Sequence, residues 1–357
     1  MTDRKTRASC LTFLTGALML TACGGDSGGT AKGEKSVVID YATFKAPGNL
    51  QCADDAERFA DLVDEKTNGS VKIKIHFSDS LVPQAELVDA LSTRTVDAGC
   101  VFATFFPAQL SMWNELGTVH DMDLSTSVDP HAQNRITRAA MNEFPDMLDQ
   151  VEKLGVHLVY SAASGPHAMM SKFPVDSTDD IDGRKIRTYG TGIPLLIEEV
   201  GGVPVDLPWT ETYTALQAGT VEGALTALNA LEEAKLDEVA PHLTVFGDHG
   251  STPLMAPGLL TVINQSVWDG LSKSQQKAIM EAGEETEAWL ADEQVARAES
   301  SIETMIGRSD VTRTDLTGDS LADLQKAAEK AFSAAAAALE EQGLPGEKFV
   351  ARVREIA

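Results

Sequence analysis

Residues 182–229 read DGRKIRTYGTGIPLLIEEVGGVPVDLPWTETYTALQAGTVEGALTALN. Lys185 to Tyr189 is a short β-type run, Gly190 and Gly192 open a turn, and Pro194 suits the first turn of a helix. Gly201-Gly202 ends that helix, because glycine enters the left-handed conformation without steric cost. A second strand is expected from Val203 to Leu207. Thr210 or Thr212 stands where a helix cap is needed, before a helix that runs through Tyr213, Leu216 and Gln217 to Gly219. Val221 then begins a third strand. Strand, helix, strand, helix, strand is the order of an α/β lobe.

Part of this stretch occurs twice. Ala215 to Gly223, ALQAGTVEG, aligns without a gap on Ala90 to Ala98, ALSTRTVDA, at an offset of 125 residues. In both copies a helix ends in a turn just before a strand. A common helix-to-strand connection produces such a match without duplication; the other reading is two similarly built lobes with a cleft between them. The 357 residues, 43% of them hydrophobic, supply two lobes of about 150 residues each.

The net charge is −25, and because Arg4, Lys5 and Arg7 stand against Asp3 in the first 22 residues, the remainder is two charges more negative still. Such a surface repels phosphate backbones, and the chain has no basic stripe or aromatic-basic interleaving, which argues against nucleic-acid binding. Plain solubility accounts for the acidity. Residues 1–22 have a basic head and an apolar run, Leu11 to Leu20, too short for a permanent membrane span, and read as a secretory signal. Leu20-Thr21-Ala22-Cys23 resembles the lipobox of bacterial lipoproteins, in which the cysteine becomes the lipidated N-terminus. Residues 23–35, with Gly24-Gly-Asp-Ser-Gly-Gly29, then form a flexible tether. An ordinary signal peptide cut near Ala22 is the alternative. More than one acyl chain gives stable anchoring, so the expected location is extracytoplasmic, at the outer face of the cytoplasmic membrane. Cys10 leaves with the signal and Cys23 is consumed by lipid. Cys52 and Cys100 remain; they can pair in an oxidising compartment, with two buried thiols as the alternative. Their spacing has no CxxC character and carries no metal or redox pattern.

The mature domain opens with a strand, Val37 to Thr43, and a Pro47-Gly48 turn. Leu50, Ala53, Ala56, Phe59, Ala60 and Val63 fall at helical spacing until Asn68-Gly69. Val71, Ile73, Ile75 and Phe77 alternate with Lys72, Lys74 and His76, as in a half-buried strand. Helix Gln84 to Ser92 and strand Val96 to Val101 come next. Residues 103–135, with Pro107, Trp113 and the Asp121/Asp123 pair, read as loops and short helices. A helix over 132–153 and a strand from Val156 to Ser161 lead toward the second lobe. After residue 229 we expect a helical passage to Val239, strands Leu243 to Phe246 and Leu259 to Asn264, and helices Gln275 to Ile306, Ser320 to Gln342 and Glu347 to Ile356. The division expected is 36–163 plus 251–290 for one lobe and 164–250 plus 291–357 for the other.

Three segments carry a family resemblance: Gly183-Arg-Lys-Ile-Arg187, Leu207-Pro-Trp-Thr-Glu-Thr-Tyr through Gly223, and Leu260-Thr-Val-Ile-Asn-Gln-Ser-Val-Trp-Asp-Gly-Leu271. They resemble the extracytoplasmic solute-binding proteins of TRAP transporters, of the dicarboxylate-binding DctP type, and order and spacing agree from about Val37 to Leu344. The resemblance implies an α/β, two-lobed periplasmic-binding-protein-like fold with a hinge, a central ligand cleft and long C-terminal helices. It implies lobes that close on a small organic acid and a loaded protein that docks on a membrane permease of a small and a large subunit; a monomer without cofactor or metal is expected. Arg187 matches the family's carboxylate-binding arginine, whose planar fork of donors fits a carboxylate. Without the resemblance, Arg187 reads equally well as a surface arginine pairing with Asp180 or Asp182.

The departures from the family pattern shape the expected ligand. A second family arginine is replaced by His167, which donates hydrogen bonds but carries full charge only at acid pH. Thr226 stands where relatives often have asparagine. Phe102 ends the first-lobe strand, and Trp209 matches an aromatic position suited to covering an apolar ligand body; core packing is the alternative role for each. These residues favour a monocarboxylate with an apolar or aromatic body. Enzyme motifs are missing: no HExxH and no phosphate-cradling Gly-x-x-x-x-Gly-Lys occurs, and the one Gly-x-Ser-x-Gly match, Gly25 to Gly29, falls in the expected tether and makes no nucleophile turn. His242 and His249, seven apart, read as surface residues. A hydrolase with a scattered triad and a receptor for an ATP-driven importer or a sensor are the competing readings; turnover would distinguish the first, a neighbouring ATPase gene the second.

Overall fold

The chain builds its first sheet, leaves it for a second, returns to the first for one strand and ends its strands in the second. The computed structural model describes residues 35–121, 129–247, 259–308 and 310–356. The expected signal, tether and lipidated Cys23, with Asp123 and His249, lie outside them. The strands are β1 (Val37–Ala42), β2 (Val71–His76), β3 (Ala98–Phe102), β4 (Val156–Ala162), β5 (His167–Ser171), β6 (Lys185–Thr188), β7 (Val203–Asp206), β8 (Gly223–Ala227), β9 (His242–Phe246), β10 (Leu259–Asn264) and β11 (Thr312–Leu316). They form a five-stranded sheet, β2-β1-β3-β10-β4, and a six-stranded sheet, β11-β9-β5-β8-β6-β7. β1 pairs parallel with β2 and β3, and β6 parallel with β7 and β8. β10 runs antiparallel between β3 and β4, and β5 antiparallel between β8 and β9. These central strands are buried along their length, HAMMS in β5 and LLTVIN in β10, so they show no polar-apolar alternation. Each sheet with its helices makes one lobe.

The helices are α1 (Asp55–Lys66), α2 (Leu87–Ser92), α3 (Ser111–Asp121), α4 (Pro130–Glu143), α5 (Asp146–Lys153), α6 (Gly192–Glu199), α7 (Thr212–Ala218), α8 (Leu228–Glu233), α9 (Gln265–Asp269), α10 (Lys273–Arg308), α11 (Gly318–Glu341) and α12 (Gly346–Ile356). The 36 residues of α10, about 54 Å at 1.5 Å per residue, tie the lobes together. Ile279, Ala282 and Leu290 enter the core behind the first sheet, and Ala298, Ile302 and Met305 the core behind the second. The last two helices also bridge: α11 packs on α6 and α3, and α12 on α3 and α4.

The nine-residue repeat is one helix-closing turn used twice. After α2 the N–H groups of Thr95 and Val96 donate to the carbonyl of Ala90 at 2.7 and 3.3 Å; after α7 those of Thr220 and Val221 donate to Ala215 at 2.9 and 3.4 Å. The residue at the left-handed position is Arg94 in the first copy and Gly219 in the second, with φ of 58° and 76°. The shared turn accounts for the match by itself.

Three expectations are corrected. Residues 103–135 hold the regular helix α3 and the start of α4. Ser111 through Val119 are buried on every side, so α3 has no polar stripe to betray its period. The helical run 132–153 is two helices, broken at Phe144-Pro145. Neither Thr210 nor Thr212 caps a helix: a short 3-10 turn over Trp209–Glu211 leads in, and no side chain caps α7. Cys52 and Cys100 are joined by a disulfide with Cα atoms 5.7 Å apart, which fastens the entry to α1 to the middle of β3.

Candidate functional site

Parallel strands present their carboxyl ends to one side, and ligands of open α/β sheets bind outside those ends. β1 is followed by Phe44 and Lys45, β3 ends in Phe102, β6 is followed by Tyr189, and β8 carries Thr226 and Ala227 at its end. These residues face one another across the lobes. With Gln51, Phe105, Ser164, Arg187, Trp209 and Ala230 they line a cavity with about 400 Å³ of empty space, part of it open to solvent. Five of the twelve lining residues are aromatic in a chain that is 6% aromatic, so the wall is built for apolar, flat surface.

Arg187 is the third residue of β6, held between Val205 of β7 and Ala224 of β8. Only 2% of it is exposed. Its Nε donates to the carbonyl of Leu207 at 3.3 Å, and its guanidinium carbon stands 5.1 Å from the Tyr189 ring centroid and 5.3 Å from that of Trp209. Burial pulls its pKa down to about 10, which still leaves it charged at neutral pH. Among the described residues no carboxylate lies within ion-pair distance. The surface pairing with Asp180 or Asp182 is not formed: Asp180 instead accepts the N–H groups of Asp176 and Ser177 at 3.0 and 2.9 Å.

Phe102 and Trp209 are half-buried wall residues. Phe102 packs against Phe44 and Phe105 with centroids 5.7 and 5.8 Å apart. Thr226 is buried in the wall on β8. His167 is not in the wall. It is fully buried at the start of β5, with Nδ1 at 2.9 Å from the carbonyl of Gly165 and Nε2 against the hydroxyl of Tyr189. A carbonyl only accepts, so Nδ1 carries the proton, and in the neutral ring Nε2 accepts from the Tyr189 hydroxyl. His167 thus positions Tyr189, whose ring lies under the Arg187 guanidinium.

Sequence reasoning missed Tyr189, Lys45, Phe44, Gln51, Phe105 and Ser164. Tyr189 had a signal, since residues two apart on a strand share a face and Arg187 was already singled out. Phe44 and Lys45 had a positional signal, because they sit just past the carboxyl end of the first strand, where open sheets hold their ligands. Gln51 lies in an irregular turn, where its Nε2 donates to the carbonyl of Ser164 on the crossing between the lobes. Nothing in its sequence surroundings marks it. The described residues contain no cluster of His, Cys, Asp and Glu able to hold a metal ion.

Comparison with known proteins supplies the family. Residues 42–338 match the family described as bacterial extracellular solute-binding protein, family 7, DctP. The ectoine-binding periplasmic protein TeaA of Halomonas elongata is 32% identical over 173 residues, covering 47% of this chain and 48% of the relative. The 2,3-diketo-L-gulonate-binding periplasmic protein YiaO of Escherichia coli is 28% identical over 233 residues, covering 64% of this chain and 67% of the relative. The chain thus aligns with about half to two thirds of these relatives' length. In three dimensions it superposes on a marine metagenome TRAP solute-binding protein specific for aromatic acid ligands, solved with 3-hydroxybenzoate, with a TM-score of 0.81 at 18% identity, covering 90% of this chain and 98% of that one. That likeness establishes the two-lobed fold, and the match over residues 42–338 establishes the lineage. The chain belongs to the DctP family, the bacterial extracellular solute-binding proteins of family 7.

Proposed function

We propose that this protein is the extracytoplasmic receptor of a TRAP transporter, which captures a small organic acid between its lobes and delivers it to a permease of a small and a large membrane subunit. The observation that carries the reading is Arg187: a fixed positive charge, 2% exposed, lining an aromatic cavity with no carboxylate of the described residues paired to it. A ligand carboxylate supplies the missing acceptor. The five aromatic side chains favour a monocarboxylate with an apolar or aromatic body, in keeping with the aromatic acid held by the structural relative above. Binding drives closure because the ligand touches both lobes only when they are together, and an equilibrium shifts only by such a difference in affinity. Residues 36–163 plus 251–290 and 164–250 plus 291–357 act as the two moving bodies, α11 and α12 of the second reaching across to α3 and α4 of the first. After signal cleavage, Cys23 carries the lipid and residues 23–35 the tether, which keep the receptor at the outer face of the cytoplasmic membrane.

A thermal-shift screen tests the reading. Small organic acids and their neutral analogues are compared on the purified protein and on Arg187→Ala. A ligand at about 100 times its Kd stabilises by roughly 2.7 kcal/mol. Carboxylates are expected to raise the melting temperature of the wild type alone; an equal response of the variant removes Arg187 from the site, and no response to any carboxylate removes the function. Incorporation of labelled fatty acid, lost in Cys23→Ser, tests the anchor.

A further inference from the structure

Arg187 is not the only buried cation of the cavity. Lys45, which follows β1 in the opposite lobe, is 6% exposed and lines the same wall. Its Nζ stands 5.4 Å from the Phe44 ring centroid and 5.3 Å from that of Trp209. Among the described residues it has no ion pair and no side-chain hydrogen bond. The acid that acts on it, Glu233, lies outside ion-pair distance: its Oε1 accepts the N–H of Leu50 at 2.9 Å and the Nδ2 of Asn229 at 3.1 Å, and its Oε2 is buried without a hydrogen-bond partner. Burial holds the Glu233 carboxyl above its ordinary pKa and the Lys45 ammonium below its own, the charge of Arg187 adding to the latter. Two ring faces return only part of what burial takes from an ammonium. A lysine stem is long enough to reach water, so an ammonium kept inside an aromatic cavity is a group waiting for an anion.

The two cations share one landmark. Lys45 Nζ and the Arg187 guanidinium carbon each stand 5.3 Å from the centroid of Trp209, which puts them within twice that distance of each other. Lys45 also borders a second, outer cavity of about 710 Å³ of empty space together with Phe44 and Trp209, so it stands at the partition between the inner cavity and that outer space. We propose that Lys45 is a second carboxylate anchor, contributed by the first lobe, and that one ligand carboxylate is seated between Lys45 and Arg187 while the apolar body lies against Phe44, Phe102 and Phe105. The inference rests on the solute-receptor reading and adds a residue and a geometry to it. One anion bridging two cations from opposite lobes makes closure depend on the charge of the ligand. A neutral isostere of the same shape fills the wall and leaves both cations unsatisfied. An aliphatic dicarboxylate brings a second charge into a wall that is mostly aromatic.

Calorimetric titration of purified wild type, Lys45→Met, Lys45→Arg and Arg187→Ala with benzoate, benzamide and succinate tests this. The wild type is expected to prefer benzoate. Lys45→Met should weaken benzoate about 10- to 100-fold, the loss of one charge-assisted hydrogen bond, while Lys45→Arg restores most of it and benzamide changes less than about threefold. Lys45→Gln, which keeps length and polarity, carries the same expectation should Lys45→Met fail to fold. If Lys45→Met binds benzoate as the wild type does while Arg187→Ala does not, Lys45 is no anchor, and the receptor reading stands without it. If the wild type prefers succinate and Lys45→Met abolishes that preference, Lys45 holds a second carboxylate and the single-carboxylate bridge is wrong. If the wild type binds neither benzoate nor succinate, the seat proposed here for an aromatic monocarboxylate falls, while the receptor reading falls only if the wider acid screen fails as well.

Discussion

Replacing Arg187 with methionine sets two effects of opposite sign against each other. A guanidinium held at about 10 instead of 12.5 is destabilised in its charged form by roughly 3 kcal/mol. Against this stand two ring contacts at 5.1 and 5.3 Å, about 0.5–2 kcal/mol each. The 3.3 Å bond to Leu207 adds about 0.5–1 kcal/mol. Methionine keeps most of the packing volume. The unliganded variant should therefore lie within about 2 kcal/mol of the wild type, whereas removing one partner of a paired buried charge costs about 3–5 kcal/mol. Binding should respond very differently, since a desolvated carboxylate loses its fork of donors: about 3–5 kcal/mol, or roughly two to three and a half orders of magnitude in Kd. Thermal unfolding with and without a saturating organic acid reads both quantities from the same samples. A loss of about 3 kcal/mol or more in the unliganded protein would mean that Arg187 is a structural charge with an internal partner, and the case for an unpaired cation would collapse.

Further expectations concern the scaffold. Cys52→Ser with Cys100→Ser opens a loop of 48 residues and should cost about 4 kcal/mol by chain entropy; an unchanged melting temperature on reduction of the wild type would contradict it. Asp55 is buried beneath Tyr160, whose hydroxyl donates to it at 3.1 Å, and burial raises its pKa to about 7. The folded protein thus keeps a proton that the unfolded chain has released above about pH 4, so stability falls as pH rises from about 4 to about 7 and stays low above, by about 4 kcal/mol from this group. Asp55→Asn should flatten part of that slope and raise the melting temperature at alkaline pH; Glu287, also raised to about 7, contributes to the rest together with the buried Glu115 and Glu233, and an unchanged slope would place the Asp55 carboxyl in its ordinary range. Gly202→Ala would put a Cβ 2.7 Å from Ile197 Cγ2 and 2.9 Å from Ile181 Cγ2, so we expect a loss of about 1–3 kcal/mol in chemical denaturation.

The sequence betrayed those elements in which one face is wet. α1 and β2 announced themselves through residues that recur at helical or alternate spacing, and the helix-strand grammar of residues 182–229 was legible because its turns are glycines. α3 was not, because Met112, Trp113, Leu116 and Val119 share a buried helix with Asn114, Glu115 and Thr118, and a helix enclosed on all sides has no period in its polarity. β11 escaped because TRTDL is polar and its order comes from pairing with β9, 70 residues away. In the site, Arg187, Trp209, Thr226 and Phe102 were named from a resemblance and stand in one wall. His167, expected to touch the ligand, lies behind that wall against the hydroxyl of Tyr189. Lys45 was invisible for a physical reason: a lysine after a strand is ordinarily at the surface, and here Phe44 and Trp209, the latter from the other lobe, stand 5.4 and 5.3 Å from its ammonium.

A cation buried by the approach of the other lobe also controls closure. Around the cleft the lobes meet through hydrogen bonds: Leu50 N–H to Glu233 at 2.9 Å, Asn114 to Thr191 at 2.9 Å, and Gln51 to Ser164. Each contributes about 1 kcal/mol net, because water satisfies the same groups when the lobes part. Closure also takes Lys45 and Arg187 out of water, a cost of several kcal/mol per ion before any partner arrives. Contacts and costs of this size come close to cancelling, so an empty receptor gains little by shutting. A carboxylate between the two cations changes the balance on one side only, since in the separated lobes it can touch one cation at a time. The free energy that holds the ligand and the free energy that holds the lobes together are then the same quantity, and a permease that docks only the closed form reads the charge of the ligand without ever touching it.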